Sequence, residues 1–164
     1  MSTGAGSLWI HSTPSALCPH IEWAVGGVLD VPVHFDWVDQ PVDRSQRTEY
    51  TWSGPAGSAA LIASKLATWQ RLRFEVTEHA SADHDGERFA FTPDLGLFRG
   101  TTGEFGDVMV HEDRLRAALA ADAAGTESLQ TALTRLIGTP WDDELDVFRH
   151  AGEGAPVRWL HQVV

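Results

Sequence analysis

Leu72-Arg73-Phe74-Glu75-Val76-Thr77-Glu78 alternates apolar with polar side chains, the period of a strand with one covered face. Its reading decides the fold, because it completes a β-α-β-β-α-β order. Immediately before it, Ser58–Arg71 sets Ile62, Leu66 and Trp69 on one helical face. Ser53-Gly54-Pro55 breaks the chain ahead of that helix, and two alternating runs precede the break. Val33–Val38 places Val33, Phe35 and Trp37 on one face, and Arg47–Trp52 alternates again after the polar, Pro41-containing connection Asp39–Ser45. Further back, Ser7–His11 carries Leu8, Trp9 and Ile10 and reads as a short buried strand. Thr13 is then placed to cap a helix with Pro14 at its first position. Leu17, Ile21, Val25 and Val28 recur at helical spacing. Pro19 has no N–H for the turn behind it, so the first turn reads as a separate 3₁₀ piece, with the main helix starting at Cys18 or Pro19. The resulting expectation is α+β: a ferredoxin-like split βαβ core with an antiparallel sheet over Ser7–Glu78.

The second half extends that core. Ala80–Gly86 reads as a loop, Arg88–Thr92 and Leu95–Arg99 as strands around Pro93-Asp94, and Asp107–Val110 as a short third strand. His111–Ala123, Thr126–Ile137 and Pro140–His150 are helical, and Val157–Val163 is a closing strand. Met1–Gly6, small and polar, reads as a frayed, disordered terminus. With 164 residues and no long linker, one domain is expected.

Charge removes several function classes. Twenty-three Asp and Glu face 12 Lys and Arg, a formal charge of −11 without a basic stripe, so nucleic acid is not an expected partner. No apolar run is long enough to span a membrane, no basic, greasy leader precedes Ser7, and Cys18 is the lone cysteine. A cytoplasmic location follows as the expectation.

Candidate chemistry gathers at the first strand-to-helix turn. His11, Cys18 and His20 fall within ten residues, compatible with a metal site or with a thiolate beside a histidine base. The spacing matches no zinc pattern, and a buried thiol at a proline kink is the favoured reading of Cys-Pro-His. Asp36 alternates away from Phe35 and Trp37, and becomes a candidate general base if that face is covered. Trp141-Asp142-Asp143-Glu144-Leu145-Asp146 is rich in carboxylates, but a helix start explains it. Acidic residues complement the dipole in the first turn, Trp141, Leu145 and Phe148 form a stripe, and Asp146 can pair with Arg149 or His150. Neither a metal nor a cofactor is expected, since no EF-hand, HExxH, dinucleotide, Walker or Gly-x-Ser-x-Gly pattern is present.

Several stretches together are distinctive. They are His11-Ser12-Thr13-Pro14, Ala16–Ala24 with Cys18-Pro19-His20, Phe35-Asp36-Trp37 with Asp39-Gln40-Pro41, Phe74–Glu78, Thr92-Pro93-Asp94-Leu95-Gly96, Trp141–Leu145, Phe148–Ala151 and Trp159-Leu160-His161. Over nearly its full length the chain resembles a family of uncharacterised actinobacterial proteins, a domain of unknown function. The resemblance transfers no catalytic residue and implies a link to gene neighbourhoods for fatty-acid synthesis. Seven Trp and seven Phe without a catalytic constellation favour a non-catalytic binding or accessory protein, for a protein partner or an acyl-type ligand. The alternative is a small enzyme using His11, Cys18 or His20 with Asp36 or Asp94. The segment His11–Trp23 is the expected site, with His11, Cys18, His20, Trp23, Asp36 and Asp94 as binding candidates.

Overall fold

A computed structural model describes residues 2–151. In chain order its elements are β1 (Thr3–Thr13), α1 (Cys18–Leu29), β2 (Val38–Gln40), β3 (Ser45–Pro55), α2 (Ser58–Leu66), β4 (Arg73–Glu78), β5 (Gly86–Thr92), β6 (Gly96–Thr102), β7 (Val108–Met109), α3 (Glu112–Ala123), α4 (Leu129–Ile137) and α5 (Thr139–Arg149). The seven strands form one antiparallel sheet in the order β2-β3-β1-β4-β5-β6-β7, so the protein is α+β.

Alternation sends Leu8, Ile10, Phe74, Val76, Phe89 and Phe91 to one face of the sheet. There they pack with Ile21, Val25 and Leu29 of α1 and with Ile62 and Leu66 of α2, while Phe74 and Phe91 stack at 5.3 Å. The opposite face carries Glu75, Ala90 and Phe98, and α5 lies across it with Leu145 fully buried and Trp141 packed beside it. Trp141 Nε1 donates to the Gly96 carbonyl at 2.9 Å, which ties the first turn of α5 to the start of β6. A smaller cluster, Ala118 with Ala132 and Leu136, joins α3 to α4.

The structure corrects several boundaries. Thr3–Gly6 belong to β1, paired with Trp52–Pro55, instead of fraying. Their small side chains reflect close approach: a Cβ on Gly6 would be driven into the Thr77 carbonyl oxygen. The run Val33–Trp37 is irregular chain, and the strand begins only at Val38. Its alternation comes from Phe35 turning inward, where it meets Tyr50 at 4.9 Å and Trp37 at 5.7 Å. β3 runs on through Ser53-Gly54 to Pro55, and α2 stops at Leu66, short of Arg71. A 3₁₀ turn, Ser15–Leu17, does precede α1, but the Thr13 side chain makes no capping bond. The expected strand Val157–Val163 lies outside the described residues. Among the described residues, no helix is long and apolar enough to cross a membrane.

Candidate functional site

β1 changes register against both neighbours between Ile10 and Thr13. This bulge buries four consecutive residues, Ile10, His11, Ser12 and Thr13, where strict alternation would bury two. His11 and Ser12 thus face an end of the sheet shared with the β2–β3 turn, the start of β4 and the last turns of α5.

Glu75 is the hub beneath this end, only 8% exposed on a central strand. His11 Nε2 lies 2.7 Å from Glu75 Oε2, Arg88 Nη2 lies 2.9 Å from Oε1, and the Arg149 guanidinium donates to both carboxylate oxygens. An ionised carboxylate only accepts, so His11 donates from Nε2. Asp142 bridges the two guanidinium groups, at 2.7 Å to Arg88 and 2.9 Å to Arg149, and Asp146 holds Arg149 at 2.7 Å. Burial works to raise the Glu75 pKa, but the hydrogen bonds from His11 and Arg149 overcome it and hold the carboxyl well below its ordinary range. Burial likewise opposes the charge on Arg149, and Glu75 more than compensates, so the guanidinium stays protonated. The group ties β1, β4, β5 and α5 together and holds α5 against the sheet.

Above the hub lies a cleft of about 540 Å³, lined by Ser12, Ser15, Asp43, Arg44, Ser45, Gln70, Arg71 and Arg73 with Pro14 and Pro93. Ser12 Oγ donates to Asp43 Oδ2 at 2.6 Å, and Asp43 Oδ1 receives both the hydroxyl and the backbone N–H of Ser45. Burial raises the Asp43 pKa, and the bonds from Ser12 and Ser45, helped by Arg73, pull it below the usual value. Arg73 packs over the Phe148 ring at 4.6 Å with Asp43 at 3.8 Å, so its position is fixed from both sides. Gln40, fully buried, joins the walls by donating to the carbonyls of His11 and Phe148.

The structure disperses the residues singled out from sequence. His11 belongs to the Glu75 hub. Cys18 is buried, and burial together with the Glu22 charge pushes its thiol up, away from reactivity. His20, Asp36 and Asp94 are exposed in three separate places: α1, the irregular chain before β2, and the β5–β6 turn. Asp36 therefore needs no partner. The requirement that a buried carboxylate be paired is met by Glu75 instead, a signal already present in its central-strand alternation. Trp23 is 80% exposed and lines a second concavity, of about 820 Å³, with Pro19, Glu22, Gly26, Asp30, Val31, Pro32, Val33 and His34. Among the described residues, no group of three or more His, Cys, Asp or Glu side chains is placed to hold a metal.

A family model described as a protein of unknown function (DUF3145) matches residues 7–162. The chain belongs to this family. DUF3145 thus spans β1 from Ser7 through α5, including the hub, the cleft and the Trp23 groove, and the resemblance drawn from the sequence is to a family of this kind. No curated protein matches the chain, and no solved structure does. DUF3145 carries no activity to transfer, so function rests on the surfaces described above.

Proposed function

We propose that the protein is a non-catalytic accessory protein that binds a protein partner through the Trp23 groove. The exposed indole carries this reading: a tryptophan left 80% exposed among Pro19, Val31, Pro32 and Val33 is a large apolar surface of the kind that anchors interfaces. Charge indicates the occupant. Glu22 and Asp30 lie in the groove of a chain with net charge −11, and hydrogen bonds from Phe35 N–H and Trp37 Nε1 hold Glu22 in place. An apolar partner segment flanked by basic residues complements that lining, whereas a free fatty-acid carboxylate is repelled by it.

Strand order β2-β3-β1-β4, with α1 and α2 packed on one face, supports reading Ser7–Glu78 as a ferredoxin-like split βαβ core within one domain. A cytoplasmic location in an actinobacterial host and a role near fatty-acid metabolism complete the proposal. The alternative, an enzyme using His11, Cys18 or His20 with Asp36 or Asp94, draws no support from side chains that are dispersed, buried or already paired.

The test compares wild type with Trp23→Ala as baits in extract of the native host, followed by calorimetry with the purified captured protein. Loss of about 2 kcal/mol of binding, with unchanged melting temperature and weaker binding at higher salt, is the expected result. Equal affinity of the two baits overturns the reading. Saturable binding of a neutral lauroyl ester in the groove, with no protein captured, would put an acyl-type ligand in the partner's place.

A further inference from the structure

The arginine-lined cleft is chemically unlike the rest of this acidic chain, and it stands apart from the Trp23 groove. Three arginines, Arg44, Arg71 and Arg73, line one cleft of about 540 Å³, within the range of small-ligand sites. One carboxylate, Asp43, shares the cleft, but its charge is spent internally. Oδ2 is taken by Ser12 at 2.6 Å and approached by Arg73 at 3.8 Å, while Oδ1 is taken by Ser45. Arg73 is thereby compensated. Arg44 and Arg71 line the same cleft and have no ion-pair partner among the described residues.

Arg44 also sits in the left-handed region, with φ of 56°. Glycine or asparagine adopts that conformation at less cost in a tight turn, so the arginine is kept there against local preference. Strain of this sort concentrates at sites that use the side chain it positions. Of the lining residues, Ser12 is 2% exposed and Arg73 is packed over the Phe148 ring. Two planar donors without an ion-pair partner among the described residues suit an oxyanion of two negative charges, which accepts bidentate bonds from each fork.

We propose that this cleft is a binding site for the phosphate group of a small phosphomonoester, held by Arg44 and Arg71 over the Ser12–Asp43–Ser45 floor. A dicarboxylate offers the same charge with its oxygens spread over a longer span, so the two chemistries separate experimentally.

Calorimetry and phosphorus NMR of the whole protein with phenyl phosphate, at ionic strength matched with chloride, test the site. The expected outcome is saturable 1:1 binding, weakened at least tenfold by Arg71→Ala and by Arg44→Gly and undetectable in the double variant. Both substitutions remove exposed side chains that have no ion-pair partner among the described residues, so melting temperatures stay within a few degrees of wild type, and Trp23→Ala binds phenyl phosphate normally. Absence of saturable binding overturns the proposal, as does unchanged affinity in the folded double variant. Succinate binding as tightly as phenyl phosphate would overturn the phosphate assignment. Because Trp23 lies outside the cleft, failure here leaves the partner-groove reading standing, and the reverse also holds.

Discussion

Glu75 shows how much one residue can organise when it is placed on a central strand. Its two oxygens accept from His11, Arg88 and Arg149, three donors contributed by β1, β5 and α5. Removing the charge leaves two guanidinium groups partly buried with only Asp142 and Asp146 as anions. Glu75→Gln is expected to cost about 3 kcal/mol at pH 7 in urea denaturation, the scale set for breaking a buried pair. The pH dependence has a definite sign. A carboxyl whose folded pKa lies below its ordinary value of 4.5 contributes stability that is complete above that value. The contribution is lost as pH falls below it toward the folded pKa. The gap between wild type and Glu75→Gln should therefore narrow below about pH 4.5, and a gap that widens in acid would contradict this account.

At the scale of elements, tight approach and remote capping determine how strands and helices end. β1 reaches back to Thr3 because Gly4 and Gly6 allow it to lie close against its neighbours. Gly6→Ala is expected to destabilise the protein by about 3 kcal/mol, the upper part of the overpacking range, since its methyl meets backbone that cannot rotate away. Thermal denaturation measures this, and a melting temperature within two or three degrees of wild type would return Thr3–Gly6 to the frayed terminus expected from composition. α2 begins at Gly57 with no side-chain cap of its own. Glu78, 4% exposed at the end of β4, supplies one instead: its carboxylate accepts from the N–H of Gly57 at 2.8 Å and of Ala59 at 3.2 Å. A carboxylate at that helix start looks, in sequence, like the polar end of a strand 20 residues away.

For the molecule as a whole, stability is distributed unevenly. The sheet and α1–α2 share a core of sixteen buried residues, while α3 and α4 meet around a cluster of three, Ala118, Ala132 and Leu136, with partly buried Val110, Leu129 and Leu133 beside it. α3 buries only Ala118. Its amides are expected to exchange with solvent well before those of β1 and β4, through local opening that leaves the sheet intact. Hydrogen exchange read by mass spectrometry checks this, and α3 protection equal to that of β1 would rule it out.

Sequence periodicity by itself determined the order of most elements, the core stripes of α1 and α2, the alternation of β4 and the helical nature of the Trp141–Asp146 segment. These follow from local rules, because a period of 2 or 3.6 is written in neighbouring residues. Composition determined the charge balance. The irregular course of Val33–Trp37, the pairing of Thr3–Gly6, the Glu75 hub and the Arg44–Arg71–Arg73 cleft were decided only by tertiary structure. Each depends on groups far apart in the chain: Arg73 and Phe148, Glu75 and Arg149, Arg44 and Arg71. A β-bulge in β1 turns His11 and Ser12 inward together, and no period in the sequence announces a bulge. The candidates His11, Cys18, His20 and Trp23 are near the cleft in sequence yet do not line it, because the residues that do arrive from four separate segments of the chain.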